Sequence, residues 1–160
     1  MTPDEHSGAI FSECRQYRYV LWRIWDEQKP MLMLIGLNPS KASDVDNDNT
    51  ICKVCKVGRF NNYGGIYMLN LFAWITQYPQ DLKRVADPSG HNGDYLNMYA
   101  SKSKDVVFCW GNFKVAVEKA KQVTSMFNNA LCFHHNRNGS PKHPLFCKDK
   151  TILIKFNYPV

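Results

Sequence analysis

Met31-Leu32-Met33-Leu34-Ile35-Gly36-Leu37-Asn38-Pro39-Ser40 is the stretch on which the fold turns. Residues 31–37 carry no polar side chain, which is the character of a strand covered on both faces, and Asn38-Pro39 stops the run. Ile66-Tyr67-Met68-Leu69-Asn70-Leu71-Phe72 reads as a second buried strand, and Asp105-Val106-Val107-Phe108-Cys109-Trp110 as a third. Between the first two, apolar residues at 51, 54, 55, 57 and 58 follow a polar opening, predicting a helix over 48–60 that ends near Asn61-Asn62-Tyr63-Gly64-Gly65. Residues 80–86 and 91–103 read as helical, separated by Asp87-Pro88-Ser89-Gly90, and 113–128 as an amphipathic helix. A short fourth strand at 130–134 precedes a polar loop over 136–142, and a tail strand falls at 151–156. Upstream, Tyr17-Arg18-Tyr19-Val20-Leu21-Trp22-Arg23-Ile24-Trp25 suits an edge strand turned by Asp26-Glu27-Gln28-Lys29-Pro30. Residues 1–16, polar and without period, predict a flexible or short helical start, and 17–160 a single domain. Strands alternating with helices predict an α/β three-layer sandwich around a central, mostly parallel four-stranded sheet.

The bulk figures agree with a globular domain. The chain has 160 residues, 44% hydrophobic and 21% charged, enough to bury a sheet core. No run approaches the roughly 20 apolar residues of a membrane span, and residues 1–8 lack a secretory layout, so a cytoplasmic protein with no membrane association is expected. Six cysteines in apolar or helix-like surroundings then read as free thiols. Charge is uneven: residues 1–100 hold 10 Lys+Arg against 11 Asp+Glu, net −1, and residues 101–160 hold 10 against 3, net +7. The basic half is a candidate phosphate-facing surface; Lys102, Lys104, Lys114, Lys119 and Lys121 read equally well as solvated helix faces.

In parallel sheets ligands bind beyond the carboxyl ends of the strands, which directs attention to Asn38, Asn70, Trp110 with Gly111, and the loop reaching His143. Gly36-Leu37-Asn38-Pro39-Ser40, followed by Ser43, resembles the first motif of the mismatch-specific branch of the uracil-DNA glycosylases, a Gly-x-Asn-Pro-Gly segment with a small residue soon after. The strand 65–73 resembles that superfamily's strand ending in an Asn that reads the flipped base. Val106-Val107-Phe108-Cys109-Trp110-Gly111 is similar to its strand ending in Trp-Gly, and Ser140-Pro141-Lys142-His143-Pro144-Leu145 to its closing His-Pro loop. With Asp48-Asn49-Thr50, Asp87-Pro88-Ser89-Gly90 and Gly139-x-Pro141-x-His143-Pro144-Leu145 included, the pattern is closer still to a bacterial and phage family known as domain of unknown function 1643.

The resemblance implies a monofunctional DNA glycosylase, a monomer without cofactor or metal, whose partner is single- or double-stranded DNA carrying a deaminated, mismatched or modified pyrimidine. Asn70 is then expected to hold the base edge, with Leu37 and Pro39 lining the base site and Phe72 or Tyr63 as the stacking aromatic. His143 is expected to donate to the departing base's carbonyl oxygen, with His134 and His135 as rivals. Asn38 has no titratable lone pair, so it can orient a water but cannot deprotonate one. Ser40, Ser140 and Lys142 are the expected phosphate contacts.

Other features set limits on that carry-over. Ser40 stands where the motif has glycine, and Asp44-Val45-Asp46-Asn47-Asp48 is acidic where a DNA-facing loop is expected to be neutral or basic. The acidic stretch can face a hydroxylated or amino-bearing base, or cap the next helix through Asp48. It lacks the Gly and Glu of a calcium loop, and Cys52-x-x-Cys55 lies on a helix face without a second such pair. Two further functional classes stay open: a non-catalytic module binding a nucleotide or modified base, and a hydrolase or transferase acting on free nucleosides.

Overall fold

A computed structural model describes residues 6–41 and 44–159. Strands β1 (His6–Phe11), β2 (Arg18–Ile24) and β3 (Met31–Gly36) precede helix α1 (Asn49–Phe60) and strand β4 (Gly65–Asn70). Helix α2 (Asn92–Ser101), strand β5 (Asp105–Phe108), helix α3 (Val117–Thr124) and strands β6 (Leu131–Cys132) and β7 (Ile154–Lys155) follow, with 3-10 turns at Pro79–Lys83, Lys114–Ala116 and Pro144–Phe146. The predicted helices at 80–86 and 113–128 are therefore a 3-10 turn and a 3-10 turn running into the shorter α3. No helix among the described residues is long and apolar enough to cross a membrane.

Among the described residues the sheet has seven strands in the order β1-β2-β4-β3-β5-β6-β7. This corrects the expected four-stranded, mostly parallel sheet. Parallel pairing is confined to β4, β3, β5 and β6, whereas β1, β2 and β7 add antiparallel ladders on the two sides. The expected loose start is also corrected over residues 6–11, which form β1, so β2 lies inside the sheet rather than at its edge. The signal was hidden by Gly8: a Cβ there would stand 2.2 Å from the Trp22 ring, so the hairpin needs a glycine that carries no hydrophobic pattern.

The buried strands divide their side chains by period two. Leu32, Leu34, Ile66 and Met68 pack with Ile51, Val54 and Val57 of α1. Met33, Ile35 and Leu69 pack on the other face against Leu96 and Tyr99 of α2 and Val123 of α3. The result is three layers, each fully buried aliphatic side chain contributing roughly 1.5–3 kcal/mol of transfer free energy. Helix α1 starts where the Asp48 carboxylate accepts from Ile51 N at 2.9 Å and ends before Asn62, whose φ of 68° breaks the spiral.

Strand β3 is flanked by β4 on one side and β5 on the other, with α1 on one face and α2 on the opposite one. The chain reverses its winding at β3, which opens a crevice beyond its carboxyl end.

Candidate functional site at the carboxyl ends of the central strands

A cavity of about 150 Å³ occupies that crevice, lined by the 36–40 segment, Asn70, Cys109 and His143 among others. Gly36 pairs with Asn70 in the β3–β4 ladder. A Cβ at Gly36 would come within 2.8 Å of Asn70 Oδ1, so the glycine makes room for the amide. Asn70 is only 3% exposed, and its Nδ2 has no hydrogen-bond partner. Its backbone carbonyl accepts from Asn92 Nδ2 at 2.6 Å, which holds the strand end in place. Such an unpaired buried donor costs about 1–3 kcal/mol and points to an acceptor that arrives from outside the chain.

Asn38 is oriented by two bonds from its Nδ2, to Thr76 O at 2.8 Å and to Pro39 O at 3.0 Å. Its Oδ1, an acceptor, is the end of the amide left for the cavity.

His143 arrives by a hairpin loop. Asn136 N donates to Ser140 O, Lys142 N to His134 O, and Gly111 N to Pro141 O, which docks the loop on the end of β5. Gly111 has φ +81° and lies 3.1 Å from Phe113 and 3.4 Å from the His143 Cβ at its own Cβ position, so a side chain there is both strained and crowded. His143 Nδ1 accepts from Leu145 N at 3.2 Å, assigning the remaining proton of the neutral ring to Nε2 as a donor. Burial lowers the His143 pKa, against an opposing pull from Asp48, so the neutral ring is the form held at pH 7.

One charged residue of the cavity carries no local sequence signal of its place there. Arg18 is 4% exposed yet lines it. The β1–β2 register slips between Ile10 and Phe11, pairing them with Val20 and Arg18, so β2 carries one extra residue. This bulge turns Arg18 to the α1 side, where Met68 and Asn70 lie; period-two reading had no means of seeing it. Burial pushes the Arg18 pKa down to about 10, opposed by the Asp48 carboxylate.

Asp48 does more than cap α1. One oxygen takes Ile51 N, the other accepts from Ser40 Oγ at 3.0 Å, and the carboxylate lines the cavity. Replacing Asp48 with serine should keep the cap and cost stability through Arg18 and the lost Ser40 bond, whereas alanine should lose the cap as well, about 1 kcal/mol more. Urea unfolding of the two variants separates the contributions. The rest of the acidic loop turns toward Arg23, which donates from Nε to Asn47 Oδ1 at 2.8 Å and from a terminal nitrogen to Asp46 O at 3.1 Å.

Of the residues expected at the site, Leu37, Asn38, Pro39, Ser40, Asn70 and His143 meet in this cavity. Tyr63 does not: it lies at the amino end of the sheet, its hydroxyl donating to Asp105, the first residue of β5. Phe72 packs in the α2–α3 core. Both corrections have one cause, that aromatic residues beside a strand end are core by default and only topology tells which end they occupy. Phe113, 37% exposed, is the aromatic that lines the cavity. Ser140 bonds within its own loop, accepting from Asn136 Nδ2 at 3.0 Å and donating to Asn138 Oδ1 at 2.7 Å. Lys142 is half-buried, near enough to lower the Cys147 thiol's pKa against the larger raising effect of burial. His134 is exposed, and His135 stacks on Phe156 and accepts from Asn157 N, outside the cavity. Ser43 lies outside the described residues. All six cysteines are free thiols.

Fold and cavity together define an α/β protein with a mixed sheet and a small polar site at its topological switch point. The chain belongs to the protein family of unknown function DUF1643, whose profile matches residues 18–145. Neither the curated proteins nor the solved structures contain a match.

Proposed function

We propose that the protein hydrolyses the N-glycosidic bond of a deaminated, mismatched or modified pyrimidine in DNA, with the cavity holding the flipped base. The observation that carries this reading is the buried Asn70 amide, its Nδ2 without a hydrogen-bond partner, lining the same small cavity as His143. At about 150 Å³ the space is below the roughly 300–1,000 Å³ of ordinary ligand pockets, which suits one ring and leaves a sugar outside. Each of the four motifs that resemble uracil-DNA glycosylases contributes lining residues to this cavity.

The roles follow from the chemistry at each atom. Asn70 donates to an acceptor on the base edge. His143 Nε2–H donates to the carbonyl oxygen on which negative charge collects as the bond breaks. Asn38 Oδ1 accepts from a water and orients it. The transition state carries positive charge on the sugar, and the Asp48 carboxylate supplies the opposing charge. Reaction without a general base at Asn38 depends on a good leaving group.

The test uses oligonucleotides carrying uracil, thymine mismatches, or hydroxymethylated or glycosylated pyrimidines, treated with alkali after incubation. Strand breaks at the modified position are expected from the wild type. Intact strands from every substrate, with folded protein bound to them, would sink the proposal.

Protonation of His143 should switch the activity off on the acid side. The second proton goes to Nδ1 and displaces the bond from Leu145 N that holds the Pro144–Phe146 turn. Because burial holds the pKa below the ordinary 6.5, the acid limb of kcat/KM is expected below pH 6.5 and should vanish in His143→Gln. Stability follows the same sign: the unfolded chain takes up this proton first, so the contribution is present above pH 6.5 and lost as pH falls through the folded pKa.

A second reading, a binding module, is favoured by one observation: the Asn38 Nδ2 and both Asp48 oxygens are already engaged in holding the backbone and Ser40. An Asn38→Ala variant that keeps affinity and cellular phenotype supports binding; loss of turnover with affinity kept supports the enzyme.

A further inference from the structure

A second, larger cavity of about 380 Å³ shares the Phe113 side chain with the site. One wall is apolar, made by Ala116, Ala120 of α3 and the buried rings of Trp110 and Phe156, and Phe113 adds an exposed ring. Its rim is amide-rich: Asn112 and Asn138, joined by an Asn138 Nδ2 to Asn112 Oδ1 bond of 2.8 Å, with Asn157 on the tail side. Lys121 supplies a cation at the border, exposed and shared only with the equally exposed Glu118 at 3.3 Å. The two cavities adjoin at Phe113, which lines both, and Gly111 and Pro141, which dock the His143 loop, form part of the second.

We infer that this groove seats the base of the neighbouring nucleotide in a single DNA strand, so that the protein reads two consecutive nucleotides. The inference rests on the proposed base site. A ring in the first cavity leaves its sugar and phosphate outside, and the adjoining groove is where the chain continues. Its chemistry matches a base in each part: the exposed Phe113 ring for the π-face, side-chain amides for the edge, and a lysine for the linking phosphate. Stacking of this kind tolerates any base, so the groove sets strandedness and length rather than sequence. A duplex keeps that neighbour stacked and paired, and single-stranded DNA is therefore the better ligand.

The experiment compares dissociation constants for the deoxymononucleotides of uracil, thymine, cytosine and 5-hydroxymethyluracil with those of the same nucleotides extended by one thymidine on either side. The extended form of the best mononucleotide should bind about tenfold more tightly. Ala120→Trp, which fills the groove, and Lys121→Glu, which reverses its charge at the surface, should each remove that gain and leave mononucleotide affinity unchanged. Lys121→Glu also serves if Ala120→Trp fails to fold. Equal affinities for the two lengths, or a gain that survives in the folded variants, overturn the groove while leaving the base site standing. Absence of mononucleotide and dinucleotide binding alike overturns both.

Discussion

Replacing Asn70 with leucine should make the protein more stable and inactive at once. The amide nitrogen is buried without a partner, so the folded chain carries its desolvation cost in full. An apolar side chain of similar size removes that cost, and a gain of about 1 kcal/mol is expected, equivalent to roughly 2–4 °C in Tm for a domain of this size. Activity should fall by at least about 10²-fold, the effect of deleting one preorganised donor in a closed site. Thermal melts and single-turnover cleavage on one preparation check both halves. A purely structural Asn70 predicts the opposite sign in the melt, because its loss would then destabilise the strand end.

Gly64→Ala should have the largest effect on folding. A Cβ there would meet Asp26 O at 1.9 Å and Lys29 O at 2.7 Å, both backbone atoms of the turn between β2 and β3. The same residue donates from its N–H to Pro30 O and accepts from Trp25 and Asp26 N–H, so it cannot move without breaking the turn. Overpacking costs about 1–3 kcal/mol where side chains can yield; against backbone the upper end is expected, a fall of roughly 6–12 °C in Tm. Chemical denaturation should show the midpoint falling with the m-value unchanged.

The parts of this molecule legible in its sequence are those where one residue type has one physical use. Continuous apolar runs gave β3, β4 and β5 because a strand covered on both faces has no polar face to alternate. Asp48 followed by the 51, 54, 55, 57 and 58 spacing gave α1 and its cap. Asn38, Asn70 and His143 were legible as a site because each follows a buried strand or closes a loop at the same end of the sheet. The parts that were hidden depend on pairing. β1 was missed because its key residue is a glycine under a tryptophan ring. Arg18, between two tyrosines in an aromatic strand, carries no local sign of the bulge that turns it to the α1 side. Asp48 reads either as the cap of α1 or as part of an acidic stretch facing a base, and only the fold shows that its carboxylate lines the cavity. Tyr63 and Phe72 read as candidate stacking aromatics, yet one lies at the amino end of the sheet and the other in the core.

The most direct test of the account is whether a base enters the cavity beside Asn70, independent of any turnover. Uracil, thymine, cytosine and 5-hydroxymethyluracil are titrated as free bases into ¹⁵N-labelled protein while the Asn70 side-chain amide is followed by NMR. At least one base should shift that amide pair saturably, together with signals of Gly36 and His143, and the shifts of Gly36 and His143 should disappear in Asn70→Leu. Bases that leave the Asn70 amide unmoved, or that shift only residues remote from Gly36 and His143, would contradict it.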